Sequence, residues 1–323
     1  MAPFSKAIQL ESPPTIPGEP VRVYRGSIDP EWVVIKSNTS WRCIILPTGY
    51  CQRKELTLMA GYILALLVEA AMKFQSATTQ KDPIHVTAHY LRPSTAGAFE
   101  IHVRAVKAGK GFTNLAVDLV QKNTLKVTTH MIFEASRKRI NDRWVFKDHI
   151  EWTEEPDIEA RNQPDHPNRT DSATIGGGGT EWGAWMGFSE KEETISSPAI
   201  AFLVDMFSNL PTMLPRSERK TLGSSWFPTV TLSIEFKAPI PKPSKFHASR
   251  TVGIYSTGKF MNHPQGRHDA YVEVWTAPTN IGEGEPVEGW RDNQVCLAIS
   301  TQMALVIPFD EASERADREV ARL

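Results

Sequence analysis

The strongest constraint on the fold is that the chain contains the same succession of elements twice, each time a very apolar helix followed by strand-like segments. The first helix is predicted over residues 55–74 and is apolar on nearly every face. The second begins at Ser197-Pro198, where serine can cap a helix and proline suits its first position, and it is predicted to stop near Pro211. A helix that is apolar all round must be enclosed by other elements rather than laid on a surface.

Four strand-like segments follow each helix, and they correspond in pairs. In the first half they cover residues 84–91, 99–107, 113–121 and 124–133, and in the second half residues 229–236, 249–255, 270–276 and 295–306. The closing strands align Thr128-Thr129-His130-Met131 with Ser300-Thr301-Gln302-Met303. Repetition on this scale indicates a duplicated unit of about 130 residues.

The repeated unit predicts an α+β fold in which two antiparallel sheets each wrap a central helix, because the helix then supplies the core that the sheet needs. The N-terminal domain is predicted over residues 20–150 and the C-terminal domain over residues 180–310. A short strand is expected before each helix, near residues 32–46 and 182–188. The intervening residues 151–179 are rich in Pro, Asp, Asn and Gly, which is typical of a linker, and residues 311–323 form a tail.

Composition and charge argue against several kinds of partner. With 36 basic and 37 acidic residues, the chain offers no electrostatic basis for binding nucleic acid or an anionic membrane surface. The apolar run at residues 56–68 ends at Glu69 and is too short for a membrane span. The three cysteines do not suggest a disulfide framework, and the absence of metal-ligand spacing and of a dinucleotide fingerprint implies no metal and no cofactor.

Helix-then-strands, given twice, resembles the double-hotdog acyl-CoA thioesterase II family and its fungal thioesterase-like relatives. The resemblance covers roughly residues 21–308, and its most specific elements are Gly61-Tyr62, Tyr90-Leu91-Arg92-Pro93 and Thr301-Gln302. It implies a tandem (double) hotdog fold and a substrate that is acyl-CoA or another acyl thioester.

The resemblance also implies a catalytic set of Asp, Ser or Thr, and Gln in the second half, which holds a water against the thioester carbonyl. Gln302 falls at the family's Gln, and Ser256 and Thr257 both offer a hydroxyl where the family has its Ser or Thr. The Asp is expected five residues before Phe236, where this sequence has Thr231. A threonine hydroxyl is too weak a base to deprotonate water at neutral pH, so Thr231 is expected to act as a polar contact only. Without another base, hydrolysis should fall by a factor of roughly 10² to 10⁴.

Asp205 is the candidate for a replacement base. Burying an ionised acid in an apolar helix is costly unless the acid is paired or hydrogen-bonded. Single-domain hotdog enzymes often carry a carboxylate on the central helix, and the resemblance to them implies that Asp205 could act as the base. The alternative is a structural acid, because Leu67-Val68-Glu69 in the first helix matches Leu203-Val204-Asp205 in the second.

Four first-half residues are candidates for substrate binding. His85 and His130 are aligned with Thr231 and Gln302, and histidine is a competent base at physiological pH, although strand histidines often serve only their neighbours. Gly61 and Tyr62 begin the first helix, where free backbone N–H groups can stabilise an oxyanion and glycine permits its close approach.

Three functions are compatible with these residues. Hydrolysis of acyl-CoA to a free acid and CoA is the leading hypothesis. The second, favoured by the missing Asp, is a tailoring enzyme of fungal secondary metabolism that dehydrates, cyclises or releases a polyketide or acyl intermediate. The third is a non-catalytic acyl-binding protein. Homodimerisation is left open.

The chain ends in Ala321-Arg322-Leu323, which fits the small-basic-Leu pattern of a C-terminal peroxisomal address read by an import receptor. A frayed helical tail is the alternative. We therefore expect a peroxisomal protein, or otherwise a cytoplasmic one.

Overall fold

The structure is a computed structural model that describes residues 2–12, 21–29, 32, 60–135, 180–213, 225–258, 261–262 and 266–308. The predicted linker and tail, and all but the first residue of the strand predicted near residues 32–46, lie outside the described residues. The described helices are α1 (Phe4–Ala7), α2 (Ala60–Gln75) and α3 (Ser197–Leu203). The strands are β1 (Val21–Ile28), β2 (Asp82–Tyr90), β3 (Gly97–Ala108), β4 (Phe112–Gln121), β5 (Thr124–Glu134), β6 (Thr180–Gly187), β7 (Ser225–Trp226), β8 (Thr229–Phe236), β9 (Thr251–Gly258), β10 (Met261–Asn262), β11 (Arg267–Thr276), β12 (Cys296–Leu305) and β13 (Ile307–Pro308).

The two halves have the same strand order. It is β1-β3-β4-β5-β2 in the first half and β6-β9-β11-β12-β8 in the second, and every pairing is antiparallel. Strands β2 and β8 also pair with each other, so the two half-sheets form one continuous sheet of 11 strands, with β10 attached to β11. In each half, one helix follows the first strand in the sequence and precedes the remaining strands, as the α+β double-hotdog prediction requires.

The second helix is shorter than predicted at its C-terminal end. Ser196 rather than Ser197 is its cap, with the Ser196 hydroxyl accepting a 3.3 Å hydrogen bond from the backbone N–H of Ala199. The helix ends at Leu203, because the backbone N–H of Asp205 bonds to the carbonyl three residues back instead of four. Pro211, the predicted end, lies in a separate 3-10 turn at Leu210–Met213.

Both helices share one core with the sheet. Helix α2 is buried along almost its whole length, and it packs against α3. In β4, buried and partly exposed residues alternate, so that Leu115, Val117 and Leu119 face the helices. Burying a side chain of this size stabilises a fold by about 1.5–3 kcal/mol. Among the described residues, no helix is long and apolar enough to cross a membrane.

The junction between β2 and β8 defines which residues of the two halves correspond. The strands pair antiparallel about Thr87 and Ser233, whose hydroxyl oxygens are 3.4 Å apart. His85 and Thr231 each lie two residues before this central pair, so they are counterparts, as the sequence alignment proposed.

The same register corrects the alignment of the closing strands. Val86 and Leu232 each precede the central pair by one residue; Val86 pairs with Met131, whereas Leu232 pairs with Gln302. Met131, and not His130, is therefore the first-half counterpart of Gln302. A slip of one residue moves every side chain of a strand to the other face of its sheet, so the difference changes the composition of the site.

Candidate functional site

The candidate site forms where the end of α3 meets the start of α2. The backbone N–H of Gly61 donates a 2.8 Å hydrogen bond to Oδ2 of Asp205. The first N–H groups of a helix have no partner within the helix and carry a partial positive charge, so a carboxylate is a natural partner for them. Asp205 thereby joins the two halves of the chain.

Glycine at position 61 is required by this contact. A Cβ added to Gly61 would lie 2.6 Å from the Cβ of Asp205 and 2.6 Å from the backbone carbonyl oxygen of Phe202. Any larger residue would separate α2 from the end of α3. The sequence predicted that glycine at this position lets an oxyanion approach closely; in the structure, the groups close to Gly61 are Asp205 and the backbone before it.

Gln302 reaches the same point from the sheet. Its side-chain amide, almost fully buried, donates a 3.1 Å hydrogen bond to the carbonyl oxygen of Val204, the residue before Asp205, and it lowers the pKa of the Asp205 carboxyl. Strand β12 directs Gln302 toward the helices because its pairing partners, Leu232 and Ala270, both belong to the buried face of the sheet. The structure thus brings together three residues singled out in the sequence: Asp205, Gln302 and Gly61.

The surroundings of Asp205 bring the pKa of its carboxyl close to neutral pH. Burial raises the pKa of its carboxyl from 3.8 to about 6, against the opposing effect of hydrogen bonds from Gly61, Gln302 and Ala60. A carboxylate with a pKa near the working pH is both ionised and basic enough to accept a proton from water. Its environment suits general-base chemistry.

Tyr90 is a site residue that the sequence analysis did not identify. Its hydroxyl donates a 2.8 Å hydrogen bond to the carbonyl oxygen of Ala60, the residue before Gly61. Burial, together with the negative charge of Asp205, raises the pKa of the Tyr90 hydroxyl far above its ordinary value. Tyr90 holds the first residue of α2 and thereby fixes the N–H groups that face Asp205. Tyr90 is the last residue of β2 and the first of the Tyr90-Leu91-Arg92-Pro93 strand ending, which was the available signal.

Thr231 and Thr257 do not belong to this cluster. Thr231 pairs with Met303 and His89, and Thr257 with Tyr271. These positions alternate with residues of the buried face, so both threonines lie on the opposite face of the sheet from Gln302. The prediction that they surround Gln302 is wrong, because strand alternation turns them away from the helices.

His85 and His130 also lie on that opposite face. His85 Nε2 is 3.1 Å from the hydroxyl oxygen of Ser233, and burial lowers the pKa of its imidazole. His130 pairs with Thr87 and is exposed. The two histidines lie at the seam between the halves, and the sheet separates them from Asp205. The structure therefore does not bring these two substrate-binding candidates to the site.

Ser256 shares the buried face with Gln302 but stands apart from Asp205. It lies on the same transverse row as Ser300, with Val272 between them. The hydroxyls of Ser256 and Ser300 are both buried, and neither has a hydrogen-bond partner among the described residues.

Tyr62 and the Gly61 amide are both engaged within the protein. The Tyr62 hydroxyl donates a 2.8 Å hydrogen bond to the carbonyl oxygen of Ala7, and its ring stacks on Trp32. The Gly61 N–H already binds Asp205. The hypothesis that this N–H stabilises an oxyanion is therefore corrected: its partner is a carboxylate of the protein itself.

The described residues of the first half contain no equivalent cluster. Glu69, which the sequence aligns with Asp205, lies 3.8 Å from the ammonium of Lys73 one turn further along α2, and Met131 occupies the position of Gln302. The Asp–Gln pair is thus specific to the second half. In the described part of the chain, no group of three or more His, Cys, Asp or Glu side chains is arranged to hold a metal ion.

Solved structures with the same fold span nearly the whole chain. A thioesterase II provisionally identified in Thermobifida fusca is 17% identical, with a TM-score of 0.64, over 94% of this chain and 97% of its own. A hot dog fold protein of unknown function from Alicyclobacillus acidocaldarius is 17% identical, with a TM-score of 0.61, over 94% and 98%. An acyl-CoA thioesterase II from Mycobacterium marinum is 11% identical, with a TM-score of 0.57, over 94% and 97%. At these identities the similarity establishes the hotdog fold.

The family is established by the sequence itself. No curated protein matches the chain significantly. The family model of the acyl-CoA thioesterase N-terminal domain matches residues 52–134, and that of the acyl-CoA thioesterase C-terminal domain matches residues 134–281. Together they cover most of the chain and both halves of the repeat, and the chain therefore belongs to the acyl-CoA thioesterase family.

Proposed function

We propose that the protein hydrolyses an acyl thioester, acyl-CoA in the first instance, to a free acid and a thiol, with Asp205 as the general base. The observation that carries the proposal is the Asp205–Gln302 pair at the start of α2, with the pKa of Asp205 raised to about 6. The pair replaces the strand carboxylate that the family resemblance led us to expect at Thr231.

The proposed reaction uses water as the nucleophile. Asp205 takes a proton from the water, whose oxygen forms a bond to the thioester carbonyl carbon. The C–S bond then breaks, and the leaving thiolate takes the proton back from Asp205. A carboxylate offers about four acceptor positions, so Asp205 can accept a hydrogen bond from a water in addition to the one from Gly61.

Gln302 acts in this scheme as the residue that positions Asp205. Its amide donates to the carbonyl oxygen of Val204, beside Asp205, so the end of α3 cannot rotate without breaking this hydrogen bond. Well-oriented groups contribute to catalysis because their geometry does not have to be reached during the reaction.

The proposal is tested by thiol release from a panel of short-, medium- and long-chain acyl-CoAs, with one acyl carrier protein thioester as an alternative donor. We expect turnover of at least one CoA ester. Saturable binding without thiol release would identify an acyl-binding protein instead. Conversion of the acyl group without free thiol would identify a tailoring enzyme.

For the location of the protein we propose peroxisomal import through Ala321-Arg322-Leu323, which lies outside the described residues. The test is a fluorescent fusion at the N-terminus. Punctate fluorescence that becomes diffuse when the last three residues are removed would support the address; diffuse fluorescence from both forms would contradict it.

A further inference from the structure

The two halves fill the helix-facing side of their sheets differently. By the strand register, Met131 pairs with Leu115 in the first half, and the corresponding pair in the second half is Gln302 with Ala270. All four side chains are buried. Where the first half has the side chain of Leu115, the second half has only the methyl group of Ala270, and where the first half has Met131, the second has the amide of Gln302.

The next row of the sheet repeats this difference. Val103 and Thr129 flank Val117 in the first half, while Ser256 and Ser300 flank Val272 in the second. Ser256 is 0% and Ser300 is 1% exposed. The second half therefore has a hydroxyl at Ser256 where the first half has the apolar Val103, and it has the smaller Ser300 where the first half has Thr129.

The hydroxyls on this row differ in their bonding. Thr129 donates a 2.8 Å hydrogen bond to the carbonyl oxygen of Val117. Ser300, in the corresponding position, has no partner among the described residues, and the same holds for Ser256. Buried polar groups are nearly always hydrogen-bonded, and leaving one unpaired costs free energy, so two unpaired hydroxyls on one row call for a partner other than the described residues.

The helix of the second half is also shorter than that of the first. Helix α2 has 16 residues, whereas α3 has 7. A helix of 7 residues is roughly 10 Å long and one of 16 residues roughly 24 Å, so α3 covers a smaller length of its half-sheet. The same half of the protein thus combines a shortened helix, smaller side chains and unpaired hydroxyls.

We propose that Ser300 and Ser256 form a subsite for oxygen atoms on the acyl chain, and that the substrate is a thioester of an oxygenated acid, such as a 3-hydroxyacyl or 3-oxoacyl group. This inference rests on the proposed function. Ser300 lies two residues from Gln302 on the same face, roughly 6.6 Å along the strand, and Ser256 lies two strands further, at roughly 9.6 Å. A chain that enters at Asp205 meets Ser300 first and Ser256 beyond it.

The test compares 3-hydroxybutyryl-CoA and acetoacetyl-CoA with butyryl-CoA, which differ only at the oxygen. We expect the wild-type protein to have a kcat/KM at least tenfold higher for the oxygenated esters, because a site that hydrogen-bonds a substrate oxygen discriminates against an analogue that lacks it. Ser300→Ala should reduce this ratio about tenfold, mainly through the oxygenated substrates. Its melting temperature should be unchanged or higher, because the hydroxyl it removes is unpaired.

Thr129→Val is the matched control in the first half. It removes a hydroxyl that is hydrogen-bonded, so it should lower the melting temperature and leave the substrate ratio unchanged. A ratio that is the same in the wild type and in both Ser300→Ala and Ser256→Ala would overturn the subsite while leaving thioester hydrolysis intact.

Failure of the proposed function would be visible separately, as no thiol release from any ester. The affinities of the three CoA esters, measured by calorimetry, would then decide. Tighter binding of the oxygenated esters that is lost in Ser300→Ala would support the subsite, and equal affinities in the wild type would contradict it.

Discussion

Gly61 and Asp205 are 144 residues apart in the sequence, and the backbone amide of the first donates a 2.8 Å hydrogen bond to the carboxylate of the second. The contact joins the start of α2, in the first half, to the end of α3, in the second half. The candidate site therefore exists only when both halves are folded and packed together, and neither half contains it alone.

The pH dependence of hydrolysis should report the protonation of Asp205. The base is active when ionised, and its pKa is about 6, so kcat/KM should rise through this pH and level off above it. At pH 5 we expect roughly a tenfold lower kcat/KM than on the plateau. A profile that stays flat from pH 5 to 8, measured with a substrate that does not titrate in that range, would exclude Asp205 as the base.

Asp205 should also make the protein less stable at neutral pH than at acid pH. A carboxyl group whose pKa is raised from 3.8 to about 6 on folding stabilises the folded state while protonated. That contribution is lost as the pH rises from near 4 through 6, and it amounts to at most about 3 kcal/mol.

The matched variant for this effect is Asp205→Asn, which cannot titrate. In urea unfolding, its free energy of unfolding relative to the wild type should increase by up to about 3 kcal/mol between pH 4 and pH 7. A difference between the two proteins that does not change with pH would show that Asp205 has the same pKa in the folded and unfolded states.

Gly61→Ala should damage both stability and activity. Its Cβ would lie 2.6 Å from the Cβ of Asp205 and from the Phe202 carbonyl oxygen, so the two helices must move apart. Overpacking of this kind costs about 1–3 kcal/mol, which outweighs the better helix propensity of alanine. Chemical denaturation and thiol release measure the two effects. A variant that is as stable and as active as the wild type would show that the close approach is dispensable.

Thr231→Asp should have little effect on hydrolysis, although it restores the family residue at that position. Thr231 lies on the opposite face of the sheet from Gln302, paired with Met303 and His89. A carboxylate there is separated from Asp205 by the sheet, so we expect kcat/KM to change less than about twofold. A large gain in activity would mean that the reaction takes place on that face.

The sequence was sufficient to predict the fold because its signals are local and occur twice. Helix α2 is apolar on nearly every face, and the strands follow it with similar endings in both halves, so the double arrangement follows from composition and period. The end of α3 was harder to predict. No glycine or proline marks Leu203, and the helix ends there through a change in backbone hydrogen bonding near Asp205.

The site could be predicted only in part. Asp205 and Gln302 were identified singly, one from the cost of an acid in an apolar helix and the other from the family resemblance. Their proximity depends on the strand register that turns Gln302 toward the helices, and the sequence alignment of His130 with Gln302 was itself one residue out. The role of Tyr90 depends on a hydrogen bond to the Ala60 carbonyl oxygen; the strand ending that contains Tyr90 marked the residue but not this contact.

The most direct test of Asp205 as the base is thiol release by the wild type, Asp205→Asn and Glu69→Gln on the best CoA ester of the panel. Glu69→Gln is the matched control, since it removes the corresponding acid of the first helix, which pairs with Lys73. We predict that Asp205→Asn lowers kcat by a factor of roughly 10² to 10⁴, while Glu69→Gln stays within about twofold of the wild type. Full activity in a folded Asp205→Asn protein would contradict the assignment of Asp205 as the base.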